Sequence, residues 1–297
     1  MRRSVRHGSI HHKRQQAFRQ DYTRHPFCCS AKGGISIISA STGPEAAINI
    51  KAKRPVSTFP EIIIFDVDGV LVDVHESFHE TVLDTVKFFT GKRVTHKQLH
   101  EWKNRPGFND DWKLSTAWVQ SLGGKQQYDE IKQKFLEIYW GANGRDGYVD
   151  REKWLFSVPA LRRLAQKAEL GIFTGRVWQE MNHTLDRCKT REFFRSIVTA
   201  EDVSRTKPDP EGLLKVLNGR PAQSAIYLGD NVDDALAAKA AGVPFVGILR
   251  RRSDERRERI DTLRELGALT ILGDVNELED WLRTRKPGRS RGKVRGK

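Results

Sequence analysis

The sequence predicts an α/β protein: a doubly wound parallel sheet with a helical segment inserted after the first strand. Three observations carry this. Short, wholly apolar runs recur along the middle of the chain and alternate with amphipathic stretches, as βαβ units of a buried parallel sheet do. The stretch from residue 75 to about 157 has helical patterns and no buried-strand run. Several apolar runs lead straight into Asp or Gly, and ligands of such sheets sit beyond the carboxyl ends of the strands.

Taken in order, Ile62–Phe65 is four apolar residues before an acidic segment, hence a buried strand. In the insert, Phe78, Val82, Val86 and Phe89 fall at 4-4-3 spacing, and residues 112–122 and 128–140 also read as helices. Trp102, Trp112, Trp118, Trp140 and Trp154 read as packing residues. Further strands are expected at 170–173, 196–199, 225–228, 245–248 and 269–272, with helices at 160–166, 178–187, 210–217, 233–241 and 254–266. The division this implies is a core domain of residues 59–75 and 158–282, with a helical cap of residues 76–157.

The chain has 297 residues and a formal net charge of +14. Residues 1–58 hold eleven Lys/Arg against two acids, and residues 283–297 hold eight against none. The stretch between has 33 basic and 36 acidic residues, so a basic folded surface is not implied. The two ends lack apolar periodicity and are expected to be disordered. They leave open attachment to nucleic acid or an anionic surface through the tails alone, a transit peptide, or a start of translation near Val56. Three cysteines, two of them adjacent, make no disulfide framework and fit a reducing, cytoplasmic setting. No run approaches the 18 or so apolar residues of a membrane helix.

The chemistry is expected at the strand ends. Ile62–Phe65 leads into Asp66, Val67, Asp68 and Gly69; the glycine permits a sharp turn. The run at 225–228 leads into Gly229, Asp230, Asn231, Val232, Asp233 and Asp234, and the run at 170–173 into Thr174, Gly175 and Arg176. Lys207 sits among Arg205, Thr206, Pro208, Asp209 and Pro210, just before a helix. If these ends converge, four aspartates meet, and like charges that close raise one another's pKa unless compensated. A hard dication liganded by oxygen compensates them. Mg²⁺ suits one or two carboxylates, waters and a phosphate; the spacing does not resemble a Ca²⁺ EF-hand loop.

Taken in chain order, from Asp66 through Thr174 and Lys207 to Asp230, these four segments resemble the motifs of the haloacid dehalogenase superfamily. The resemblance covers about 61–282, including the helix that follows Asp234. It implies that Asp66 is a nucleophile and Asp68 an acid/base, and that Thr174 and Lys207 hold phosphoryl oxygens. Mg²⁺ would be held by the Asp66 carboxylate, the Asp68 carbonyl and Asp230, with Asp234 completing the metal site by orienting metal waters. Thr174 lies 108 residues beyond Asp66. An insert there resembles the C1 cap of the subfamily that includes phosphoglycolate phosphatases and β-phosphoglucomutases.

The implied activity is a Mg²⁺-dependent phosphatase on a small phosphorylated metabolite, with a phosphomutase as the alternative. A dehalogenase does not need the second aspartate present here. Similar sequences occur near histidine-biosynthesis functions, so histidinol phosphate is one candidate substrate, though no residue points to it. Gly175, Arg176, Arg105 and Asn109 are candidate substrate contacts, with Asp110 beside Asn109. Asp73 and Asp209 read as capping residues, Asp233 as supporting or solvated, and Cys188 as buried and inert. The pairs His75/His79 and His96/His100 read as solvated helix faces without metal-ligand pairing. Substrate identity and oligomeric state stay open.

Overall fold

The computed structural model describes residues 59–108, 110–142, 146–250 and 256–285. Six parallel strands form the main sheet in the order β5-β4-β1-β6-β7-β8. They are β1 (Ile62–Phe65), β4 (Glu169–Phe173), β5 (Phe194–Val198), β6 (Ala225–Gly229), β7 (Phe245–Ile248) and β8 (Thr270–Leu272). β1 is central and buried throughout, which is why it reads as an unbroken apolar run.

Successive side chains on a strand face opposite ways, and β1 divides its residues between two cores accordingly. Ile63 and Phe65 pack with Leu161 and Leu164 of α5 (Val158–Ala165), Met181 and Leu185 of α6 (Trp178–Cys188), and Leu278 and Leu282 of α10 (Leu278–Thr284). Ile62 and Ile64 pack with Leu213 and Val216 of α7 (Glu211–Leu217), Ala235 and Ala238 of α8 (Val232–Ala241), and Leu263 of α9 (Arg256–Glu265). Helices therefore cover both faces of the sheet, as the doubly wound reading requires.

The insert holds α1 (Glu80–Thr90), α2 (His96–Lys103), α3 (Asp111–Ser121) and α4 (Tyr128–Trp140). Val82 and Val86 of α1, Leu114 and Trp118 of α3 and Phe135 of α4 form its buried centre. Trp118 is buried, while Trp102, Trp112, Trp140 and Trp154 pack partly buried against the core. Helix α2 has only Leu99 buried and opens on a capping box: Thr95 accepts the Gln98 amide and Gln98 accepts the Thr95 amide.

The insert is not purely helical. β2 (Val72–Asp73) pairs antiparallel with β3 (Lys153–Trp154), and these two-residue strands join its two ends. Strands this short leave no periodic trace. At the carboxyl end, Arg283 and Thr284 complete the last turn of α10, so order extends past the expected boundary at 283. The expectations for residues 1–58 and 286–297 lie outside the described residues.

Candidate active site

β1 and β6 are neighbours in register, Phe65 beside Leu228. Both strands end at the same level, so Asp66 and the Gly229–Asp234 segment meet. Ligand atoms of Asp66, Asp230 and Asp234 lie within 4.8 Å of one another. Gly69 is at φ +76, and a Cβ there would lie 2.3 Å from Asp230 Oδ2. Only glycine lets the first loop approach the fourth so closely.

Lys207 brings one positive charge to the group. It is buried, with Nζ 2.7 Å from Asp66 Oδ1 and 2.7 Å from Asp234 Oδ1. Burial alone would depress its ammonium, but Asp234 and Asp66 hold it above its ordinary value. Burial, with Asp234 beside it, raises Asp66 well above the usual carboxylate range, against the pull of Lys207. Burial pushes Asp230 up to about 6, opposed by Arg259 and reinforced by Asp234. Arg259 of α9 donates from Nη2 to the Asp230 carbonyl at 2.8 Å. Carboxylates ligate a metal as anions, and a hard divalent cation would relieve the crowding of like charge that disfavours ionisation here, so the donor set fits Mg²⁺.

The four aspartates are not equivalent. Asp234 accepts the Tyr227 hydroxyl at 2.7 Å on Oδ1, besides Lys207, and the amides of Asp230 at 3.1 Å and Asn231 at 3.3 Å on Oδ2. Those contacts use both of its oxygens, so it ties down the loop and Lys207 and is less suited than Asp230 to bind a metal directly. Thr174 is buried and accepts the Arg176 amide on Oγ1 at 3.1 Å.

Asp66, Asp68, Thr174, Gly175 and Lys207 all line one cavity of about 750 Å³. Gly107, Asp110 and Trp112 of the insert close its other side. The insert is latched there: Asp233, buried in α8, accepts the Gly107 amide at 3.0 and 3.1 Å.

Two expected substrate contacts change. Arg176 lines the cavity but is only 2% exposed, and its guanidinium is committed to Asp68, Glu152 and Thr184. None of its five N–H donors is left for substrate. Arg105 is exposed, with its guanidinium 4.5 Å above the Trp102 ring, and is not among the residues lining the cavity. Asn109 lies outside the described residues.

Of the other assignments, the two caps hold, while those of Cys188 and the histidines shift. Asp73 bonds the His75 amide at 3.1 Å, as a capping residue does, and pairs with Arg250. Asp209 accepts the Glu211 amide at 2.9 Å. Cys188 is partly exposed rather than buried. The four histidines form one cluster and not two separate faces, His75 alone being exposed: the His75 and His96 rings stack at 4.1 Å, and His79 meets His100 at 5.5 Å. Burial pushes His79 well down and His100 down to about 4, so these imidazoles are neutral. Ligand atoms of His75, Glu80 and His96 lie within 4.8 Å. Stacked rings set their nitrogens side by side, a poor arrangement for a shared ion.

Glu180 of α6 also lines the cavity and is 3% exposed. Its side chain accepts the Val177 amide on Oε2 at 3.2 Å, while Oε1 has no hydrogen-bond partner among the described residues. Burial pushes it up to about 8, against the pull of Arg176. The fold therefore favours the neutral acid. Its contribution to stability is full below the ordinary value of 4.5 and is lost as pH rises to about 8. Glu180→Gln is expected to match the parent near pH 4 in urea unfolding and to exceed it at pH 9 by about 3–5 kcal/mol. Superimposable pH profiles for the two proteins would contradict this.

Comparison with known proteins agrees with the geometry. A 29% identical stretch of 197 residues is shared with an imidazoleglycerol-phosphate dehydratase of Phytophthora nicotianae, covering 64% of this chain and 43% of that protein. The chain thus spans less than half of that relative. A phosphoglycolate phosphatase of Pseudomonas savastanoi is also 29% identical over 197 residues, covering 64% of this chain and 69% of that protein. Among solved structures, a haloacid dehalogenase-like protein from Agrobacterium tumefaciens superposes with a TM-score of 0.60 at 21% identity, over 75% of this chain and 97% of the other. The family model described as haloacid dehalogenase-like hydrolase matches residues 63–248, and the chain belongs to that family.

Proposed function

We propose that this protein is a Mg²⁺-dependent phosphatase of a small phosphorylated metabolite, working through a phosphorylated Asp66. The observation that carries the reading is the meeting of Asp66, Asp230 and Asp234 around Lys207, with Asp66, Asp68 and Lys207 lining one cavity. The relative named a phosphoglycolate phosphatase supports a phosphate monoester as substrate. The cavity, about 750 Å³, has room for a small metabolite.

The Asp66 oxygen that Lys207 does not hold attacks phosphorus, and the ester P–O bond breaks. Asp68 gives its proton to the departing alkoxide. Asp68, now a carboxylate, takes a proton from water; the water oxygen bonds to phosphorus and the P–Oδ bond breaks. Free phosphate and the Asp66 carboxylate result. Thr174 and Lys207 hold the non-bridging oxygens, whose charge peaks in the transition state. Asp66, the Asp68 carbonyl and Asp230 would hold Mg²⁺. When bound, it cancels charge between the carboxylates and the phosphoryl group.

With p-nitrophenyl phosphate, the full chain is expected to release phosphate in Mg²⁺ and to lose at least about 100-fold of that rate in excess EDTA. Restored Mg²⁺ should restore it. A folded protein inert toward a broad panel of phosphate esters would overturn the reading, and the same panel identifies the substrate.

A further inference from the structure

We propose that Glu152 is a positioning residue for the acid/base: it holds Arg176, and Arg176 in turn holds Asp68. This rests on the phosphatase reading above. Arg176 Nε and Nη2 reach Asp68 Oδ1 at 2.8 and 2.6 Å. Nη1 and Nη2 reach Glu152 Oε2 and Oε1 at 3.1 and 2.8 Å, and Nη1 also reaches Thr184 at 2.6 Å. Both Asp68 contacts fall on one oxygen, so the other is left for the leaving group. A planar guanidinium gripped along two edges fixes the carboxylate it serves more narrowly than an ammonium can.

Glu152 is 5% exposed. A buried carboxylate is costly unless paired and hydrogen-bonded. Glu152 is both: besides Arg176 it accepts the Tyr139 hydroxyl at 2.9 Å, and Arg187 donates to its carbonyl. Burial alone would weaken the Arg176 charge, yet Asp68 and Glu152 hold it well above its ordinary value.

The relay joins separate parts of the chain. Asp68 follows the central strand and Arg176 follows β4, but Glu152 lies on the segment that returns from the insert, just before β3. Tyr139 is on α4, and Phe78, whose ring lies 5.0 Å from the Arg176 guanidinium, precedes α1. The acid/base is therefore oriented by chain belonging to the insert. Proton delivery by the core requires the insert to be seated.

Leaving-group dependence tests this. Phenol is a poorer leaving group than p-nitrophenol and needs proton donation more. In Glu152→Gln, kcat/KM for phenyl phosphate is expected to fall about 30-fold while that for p-nitrophenyl phosphate falls less than about 3-fold. Arg176→Lys, which keeps the charge but not the fork, should lose rate in the same selective way, and it decides the matter should Glu152→Gln not fold. Equal losses on both esters, or no loss in a folded variant, overturn the inference. Should the folded parent protein hydrolyse neither these esters nor any member of the broad panel, the phosphatase reading falls and this inference with it. Where the parent hydrolyses both rapidly and Asp66→Asn abolishes that, the phosphatase reading stands, and the Glu152 variant then reports on the relay alone.

Discussion

Asp66→Asn is expected to fold like the parent and to lose turnover by at least about 10⁴-fold, because the substitution removes the attacking carboxylate. An amide presents no anionic oxygen to phosphorus. The substitution keeps the shape of a side chain that is only 3% exposed and removes a charge that burial and Asp234 already disfavour. Its Oδ1 can still accept from Lys207, whose Nζ lies 2.7 Å away. The loss should therefore appear in steady-state phosphate release and not in the thermal melt. Turnover within tenfold of the parent would remove Asp66 from the mechanism.

The second large effect is on stability as well as rate. Lys207→Met keeps an aliphatic stem near the Phe173 and Tyr227 rings, 4.8 and 5.5 Å from the native ammonium. It leaves the Asp66 and Asp234 carboxylates facing each other without that cation. Removing one partner of a buried ion pair costs about 3–5 kcal/mol, and that is the expected loss in urea unfolding without metal. kcat/KM should fall about 10²–10³-fold, as for loss of a donor to a developing oxyanion. Millimolar Mg²⁺ should narrow the stability gap, since a ligand that binds only the folded state stabilises it by mass action. A stability loss below about 1 kcal/mol would mean that the aspartates are neutralised some other way.

The part of the site legible in the sequence is the part that follows directly from strands. An apolar run that stops at an aspartate marks both a buried strand and the end where chemistry occurs, so Asp66, Thr174 and Asp230 can be read from β1, β4 and β6. Lys207 is legible through the family resemblance and not through any periodicity. What escapes the sequence depends on long-range pairing. Glu152 lies between Arg151 and Lys153 in a charged stretch and has no local sign of burial. Arg259 sits on a helix crowded with charge, yet its side chain reaches the Asp230 carbonyl. Arg176 reads as a substrate contact because nothing local reveals that two carboxylates, 108 residues before it and 24 residues before it, claim its donors. The histidines mislead for the same reason: each i,i+4 pair looks solvated alone, and only the packing of α2 against the turn before α1 stacks one on the other.

The strand order matters for the birth of the protein. Ile62 of β1 pairs with Glu169 and Ala225, 107 and 163 residues further along the chain. Both flanks of the central strand therefore stay open until most of the polypeptide has emerged from the ribosome, an interval of about 10–30 s at ordinary synthesis rates. An apolar strand with two unpaired edges is a template for aggregation during that time. The insert, whose contacts are more local, can form first. Chaperone demand and inclusion-body formation should accordingly track the speed of translation through β4 and β6 more than the final stability of the fold.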